Sequence, residues 1–427
     1  MAAAPAASAH ATRVPAKAAS HRILTWNCAG WAAVEPQARR QHGSLAAFLD
    51  HTLADVVLVQ EHKLTRDKVK RELAMLNARG EAASGWETYW AFSTTKTGYS
   101  GTLTAVRKGS GLEPVEAASD ALGREFDDEG RCVLTRHGVS PGGMTLVNVY
   151  TPNGGDRPAR ARLAFKLRFL ARLRALIDSE RAAGRRVVLA GDLNIPRSAR
   201  DAFWSADGSS ELGYSDEETG WLAAICGADD PSEGGVPPAA WQGEARSAGA
   251  ARAGARSDRA SERAGHVSDE SETAACSDAG GVAACAGSRG AQAACAPLVD
   301  TFRACHPAAD GAFTVWDQRK AARTRNQGVR IDFVMLDREL QHTLRGAAIV
   351  YTPPAWSDHV AVCADVDLPP PVLNGRPESA KAPPLAAERW PELRSAGKSL
   401  ASFFGRAPKR PAGSPDPPKS AGAKRPR

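Results

Sequence analysis

Apolar residues occur in short unbroken runs from Ile23 onward, and polar residues close most of them. Ile23-Leu24-Thr25-Trp26 reads as a strand and Val56-Val57-Leu58-Val59 as a buried one, while Leu45 to Leu49 has helical spacing. Further strands are expected over Gly101 to Val106, Cys132 to Arg136 and Thr145 to Tyr150. The clearest helix carries Leu163, Leu167, Leu170, Leu173, Leu176 and Ile177 as an apolar stripe, with Arg and Lys on its other faces and Gly184 as its stop. Val187-Val188-Leu189-Ala190 follows as a short buried strand. Late strands are expected at Ile331 to Leu336, Ala347 to Tyr351 and Val360 to Asp365. Alternating strands and helices of this kind define an α/β protein.

Three regions break the pattern. Residues 1–21 are rich in Ala and Ser and read as a disordered leader, although a basic, acid-free start also permits an organelle transit peptide. Between Gly227 and Ala296 there is no Leu, Ile, Phe or Met. Such a stretch buries too little apolar surface to offset its ordering entropy, so 227–296 is expected to be a disordered insertion in a surface loop. Loop closure costs grow only logarithmically, so a fold tolerates it. The Pro-, Lys- and Ala-rich chain over 369–427 reads as a disordered basic tail. One folded domain over 22–368 remains.

Composition adds little. The 427 residues carry a net charge of +7, which points weakly to a polyanionic partner. No apolar run reaches the ~18 residues of a membrane span, so no membrane partner is expected. The eight cysteines include no CxxC pair and no finger-spaced histidine, which leaves free thiols in a reducing compartment.

Chemistry gathers at the strand ends. Asn27 follows the first strand and Gln60-Glu61 the second; Tyr150 and Asn153 follow the strand ending in Val149. Asp192 and Asn194 stand in GDLN, Asp332 in RIDF, and Asp358-His359 precede the last strand. One such residue is usually a turn or cap; a series of them, each abutting a strand, needs another reason. Phosphodiester hydrolysis requires charge neutralised on the phosphate, a positioned water and a stabilised leaving oxygen. Glu61 and Asp358 suit a hard cation. Asp192 suits orienting or deprotonating water, and Asn194 holding a phosphate oxygen. His359 suits donation to the phosphate, with Asp332 fixing its tautomer, and Tyr150 offers a hydroxyl.

The ordered set LTWNCAG, VQEHK, GYSGT, EGR, NVYTPN, GDLN, RIDF and SDH resembles the exonuclease III family of AP endonucleases, within the endonuclease/exonuclease/phosphatase superfamily. The resemblance runs from about Arg22 to Asp367 apart from the insertion. It implies a DNase I-like four-layer sandwich, two facing mixed β-sheets flanked by helices. It also implies a DNA-repair nuclease with 3′-5′ exonuclease or 3′-phosphodiesterase activity and weaker abasic incision in base excision repair. The implied cofactor is Mg2+, with Mn2+ as the alternative. The implied catalytic residues are Tyr150, Asp192, Asn194, Asp332 and His359, and the implied metal set is Asn27, Glu61, Asp192, Asn194, Asp358 and His359. The stretches at Arg162 to Arg168 and Phe302 to Trp316 are most similar to the second eukaryotic type of AP endonuclease, which carries a clamp-binding extension. Residues 397–404, GKSLASFF, resemble that clamp-binding box, with Leu400, Phe403 and Phe404 as anchors. Double-stranded DNA with abasic sites or 3′ ends and a sliding clamp are therefore the expected partners of a monomer.

Two departures matter. Ala29 stands where the family usually has an acid or amide, and Val315 and Val329 stand where the first type of AP endonuclease has large aromatics around the abasic sugar. Lys409-Arg410 and Lys424-Arg425-Pro426-Arg427 read as a nuclear signal; a mitochondrial or plastid address is the alternative. Other enzymes of the superfamily, such as a tyrosyl-DNA phosphodiesterase, a deadenylase or a phosphoinositide phosphatase, and a catalytically weakened DNA-binding module are the competing readings.

Overall fold

The computed structural model describes residues 11–12, 15–43, 45–70, 85–155, 159–203, 214–227, 297–350, 352–373, 376–377 and 380–392. Its strands in chain order are β1 (Ala11–Thr12), β2 (His21–Asn27), β3 (Val56–Gln60), β4 (Trp86–Ala91), β5 (Thr102–Arg107), β6 (Glu116–Ala118), β7 (Cys132–His137), β8 (Met144–Tyr150), β9 (Arg186–Asp192), β10 (Leu298–Asp300), β11 (Val315–Trp316), β12 (Gly328–Val329), β13 (Asp332–Asp337), β14 (Leu344–Val350) and β15 (Ala361–Val366). Four helices matter for the site: α1 (Trp31–His42), α2 (Leu45–His51), α3 (Leu163–Ala182) and α4 (Asp216–Cys226).

The strands form a seven-stranded sheet, β1-β14-β15-β2-β3-β5-β4, a six-stranded sheet, β10-β13-β9-β8-β7-β6, and the small pair β11-β12. Each large sheet has a parallel pair near its centre, β2/β3 in one and β8/β9 in the other. Antiparallel strands flank both pairs.

Side chains alternate across a strand, so each strand feeds two cores. Ile23, Val56, Leu58, Leu146, Val188, Val334 and Val362 meet between the sheets. Leu24, Trp26, Val57 and Val59 face outward under α1 and α2, with Trp31, Val34 and Phe48. Val147, Val187, Leu189, Phe333 and Met335 face outward under α3 and α4, with Phe169, Leu173, Leu222 and Ile225. Three cores between four layers is the expected sandwich. Strands buried on both faces explain the unbroken apolar runs of the sequence.

The inward rows change character toward one end. Ile23-Thr25-Asn27, Val56-Leu58-Gln60, Leu146-Asn148-Tyr150 and Val188-Ala190-Asp192 all run from apolar to polar in steps of two. A buried polar layer separates core from edge: Gln60 donates to Thr25 Oγ1 at 2.9 Å and to Asn148 Oδ1 at 2.8 Å, and Asn148 donates to Leu103 O at 2.8 Å.

Several expectations need correction. Packing extends past both expected domain boundaries. Ahead of residue 22, Ala18 N donates to Asp365 at 2.7 Å, and the buried Arg22 donates to Pro15 O and Ala16 O. Beyond residue 368, Val372, Ala382, Ala386 and Trp390 are buried. Arg376 pairs with Glu87, Lys108 with Glu388 and Arg66 with Glu392. This strap covers the edge strand β4, through the bridge of Tyr89 to Ala386. Its Pro-rich composition hid a segment anchored by a few apolar side chains and ion pairs. On α3, Leu163 and Leu167 are only half-buried, and Lys166 lies inside the protein rather than on a solvent face. The insertion leaves at Gly227 and returns at Pro297, and a Cβ on Gly227 would lie 3.7 Å from the proline ring, so its two ends meet. Residues 228–296 themselves, and 393–427 with Leu400, Phe403 and Phe404, lie outside the described residues. Among the described residues no helix is long and apolar enough to cross a membrane.

Candidate active site

The polar ends of the inward rows converge on one edge of the sandwich. Asn27, Gln60, Tyr150 and Asp192 sit at the C-terminal ends of the two parallel pairs. Asp332 opens β13 directly opposite Asp192 in the antiparallel register, and His359 lies just ahead of β15. Strand direction thus explains why some site residues follow their strand while Asp332 and His359 begin theirs.

Asp192, Asp332 and His359 bring a ligand-type atom each to within 4.8 Å of one another. His359 Nδ1 bonds Asp332 Oδ2 at 2.9 Å, and its Nε2 is 4.0 Å from Asp192 Oδ2. Burial alone would lower the His359 pKa, but the hydrogen bond and charge of Asp332, with Asp192 and Asp358, raise it to about 10. Burial, followed by repulsion from Asp332, pushes Asp192 up to about 7 against the pull of His359, Asn27 and Asn194. These shifts share one cause: buried acid in excess of buried base.

Asn27 connects this cluster to Glu61. Its Nδ2 donates to Asp192 Oδ2 at 2.9 Å and to Glu61 Oε1 at 3.0 Å, while its Oδ1 accepts from Ala29 N at 2.9 Å. Asn27 was expected among metal ligands; here its oxygen is turned away, and it bridges two carboxylates. Glu61 also pairs with Lys63 at 2.8 Å. Burial would raise the Glu61 pKa, but Lys63, Asn27 and the Tyr150 hydroxyl hold it below the ordinary range. Burial and the charge of Glu61 push Tyr150 well above its ordinary value, so it stays a hydroxyl donor. Asp358 is half-exposed at the rim, 3.4 Å from Ser357 Oγ. Asn153 is exposed and accepts from Gly155 N at 2.8 Å, a turn contact apart from the cluster.

Further residues complete the site. Lys63 donates to Ala29 O at 2.8 Å, so the position without an acid still anchors the lysine through its backbone. His62 is fully buried, accepts from Leu64 N on Nδ1 at 3.0 Å and lies 3.0 Å from Ala91 O through Nε2. A Cβ on Gly101 would overlap the His62 ring, which is why GYSGT needs a glycine there. Arg131 stacks on the Tyr150 ring at 4.5 Å and donates to Tyr150 O at 3.1 Å. Beside His359, Val315 pairs with Val329, and both pack with Ile331, Ala202 and Tyr214. Tyr214 is an aromatic wall that no sequence motif signalled.

The donor set fits a divalent cation. Glu61, Asp192, Asp332 and Asp358 outnumber the Lys63 ammonium and the His359 imidazole beside them, the Lys166 ammonium being held in its own pair with Glu218, and the buried Asp332 Oδ1 has no protein hydrogen-bond partner. Oxygen-rich, net anionic sites of this kind suit hard cations.

Two facing sheets thus carry at one edge an acidic, histidine-bearing cluster with the donors of a metal site. The sequence pattern of the Endonuclease/Exonuclease/phosphatase family matches residues 24–359, and the chain belongs to that family. It is 27% identical over 418 residues to the human DNA-(apurinic or apyrimidinic site) endonuclease 2, covering 90% of this chain and 66% of the relative. It is 22% identical over 328 residues to the Bacillus subtilis exodeoxyribonuclease, covering 77% of this chain and 92% of the relative. The crystal structure of the Xenopus laevis APE2 catalytic domain superposes with a TM-score of 0.59 at 24% identity, over 87% of this chain and 98% of that one. The chain thus spans about two thirds of the length of the human relative.

Proposed function

We propose that the protein is a DNA-repair nuclease that hydrolyses phosphodiester bonds, acting as a 3′-5′ exonuclease or 3′-phosphodiesterase and more weakly at abasic sites. The buried Asp192–Asp332–His359 cluster, joined through Asn27 to Glu61, carries this reading. The names of the human and Bacillus relatives support the DNA substrate.

In this reading Glu61, Asp358 and Asp192 would hold a divalent cation, Mg2+ or alternatively Mn2+. When bound, it would supply neutralisation of phosphate charge and of the leaving oxygen. His359, held by Asp332, presents Nε2–H to a phosphate oxygen. Asp192 orients the attacking water and takes its proton. Asn194 Nδ2 donates to Thr151 O at 2.9 Å and makes only a 3.4 Å contact with Asp192, and a phosphate oxygen replaces the latter. The Tyr150 hydroxyl, whose single proton is bonded to Glu61 in the resting site, would turn to the phosphate charge when substrate binds. Arg131 aligns its ring.

A substrate panel tests the reading: labelled duplex with a recessed 3′ end, abasic duplex, a poly(A) strand and an inositol phosphate, each with Mg2+. Cleavage of the recessed 3′ end above the other three is expected. Preference for poly(A) or the inositol phosphate overturns it, and binding of duplex without turnover points to the weakened binding module.

The same proposal places a monomer in the nucleus, docked on the sliding clamp through Leu400, Phe403 and Phe404, with spacing for one face of a helical turn. A peptide of residues 396–410 is expected to bind the clamp better than its Phe403→Ala/Phe404→Ala form. Equal binding removes the clamp from the account.

A further inference from the structure

Lys166 is a buried cation that the chemistry above leaves unused. It lies on α3, its side chain 1% exposed, and forms an ion pair at 2.6 Å with Glu218 of α4, whose side chain is 0% exposed. Glu218 already has other partners. Its Oε2 accepts from Ser215 N at 2.8 Å and from Arg160. Two cations therefore share this carboxylate. The Lys166 ammonium has donors to spare, and at the site Nζ donates to Asn194 O at 2.7 Å.

Asn194 needs such support. Its φ is +51°, a left-handed conformation that costs a non-glycine residue about 1 kcal/mol or more unless its surroundings fix it. Its N–H is fixed on Asp192 Oδ1 at 2.8 Å and its side chain on Thr151 O. The carbonyl is the remaining group of the turn, and Lys166 is its partner.

We propose that Lys166 is a positioning residue: its ammonium, seated by Glu218, locks the Asp192-Leu193-Asn194 turn in the left-handed shape that presents both side chains to the scissile phosphate. The idea rests on the nuclease reading for its catalytic consequence, but not for its structural one. In Lys166→Met, Glu218 keeps Arg160 and Ser215 N–H on Oε2, while Oε1 loses its ion-pair partner. Misplacement of a catalytic group by about 1 Å costs on the order of 100-fold.

The test uses the full chain, with steady-state kinetics on the recessed duplex and amide hydrogen exchange of the turn. Lys166→Met is expected to lower kcat by about 10- to 100-fold with KM nearly unchanged, and to speed exchange at the Asn194 amide. Lys166→Arg, which keeps charge and donor, is expected to regain most of kcat. Should the methionine variant fail to fold, Lys166→Met/Glu218→Gln removes cation and anion together, and the same two readouts decide. Wild-type exchange and kcat in a folded variant lacking Lys166 overturn the proposal. An inactive wild type overturns the nuclease reading instead, while the exchange readout still decides the role of Lys166.

Discussion

Two buried acid clusters lie close together in this protein, and they are built from similar parts to opposite ends. In one, Asp201 and Asp300 meet Arg330 and Arg303: Arg330 donates to both carboxylates at 2.8–3.1 Å, and Arg303 adds a bond of 2.6 Å to Asp201. Arg197 stands a further 3.8 Å from Asp300, so arginine outnumbers acid, and despite burial Arg330 and Arg303 pull Asp201 down to about 2. In the other, Asp192 and Asp332 share His359, with Glu61 and Asp358 nearby. There acid is in excess, and burial and repulsion push Asp192 up to about 7. Arg330 and Asp332 are two residues apart in RIDF, so one short motif serves both clusters. The difference separates a structural charge knot, complete in itself, from a site whose excess of acid a bound divalent cation would offset.

Mutation should split the two clusters cleanly. The largest effect is expected at the site: Glu61→Ala and His359→Ala each lower kcat by roughly 1,000-fold or more, because groups acting as a unit do not lose activity additively. Circular dichroism melts should show both still folded; near-wild-type turnover in both breaks the comparison. Next comes Arg330→Met, which leaves Asp201 and Asp300 short of partners and should cost about 3–5 kcal/mol of stability in urea titrations. A loss under 1 kcal/mol there would mean that the knot is not structural.

Acid sharpens the contrast. The folded pKa of Asp201, about 2, lies below its ordinary 3.8. Its contribution to stability is therefore present above pH ~4 and is lost as pH falls through about 2, worth on the order of 2–3 kcal/mol. Urea titrations at pH 5 and pH 2.5 should show about two thirds of this drop in wild type and a smaller one in Asp201→Asn. The smallest effect concerns substrate choice. Val315 and Val329 give less apolar contact than aromatics would, so discrimination for an abasic sugar is expected to be weaker by about 1–3 kcal/mol. Abasic incision faster than 3′ trimming under matched conditions contradicts this.

Much of the site was legible because the fold repeats one rule. Inward positions recur every second residue, so a polar residue in phase with buried apolar ones, as in Ile23-Thr25-Asn27, marks the site edge. Lys166 was hidden for the converse reason: a lysine on an amphipathic helix reads as solvated, and only α4, from a distant segment, supplies the carboxylate that draws it inward. The charge knot was hidden likewise, since its members come from three separate stretches: Asp201, Asp300 with Arg303, and Arg330. α1 escaped notice because Pro36 lies inside it. The strap over β4 was masked by its prolines, and no periodicity signals a segment held by Trp390 and three ion pairs.

The central claim is that the acid-rich cluster is a catalytic centre and not a second structural knot. Turnover of a recessed 3′ duplex with Mg2+, measured beside thermal stability for wild type and Asp192→Asn, tests it most directly. The account predicts cleavage by wild type, a loss of roughly 1,000-fold or more in the variant, and unfolding free energies within about 1 kcal/mol, because relief of repulsion with Asp332 offsets the altered hydrogen bonds. An Asp192→Asn protein that unfolds easily yet cleaves at the wild-type rate would contradict it.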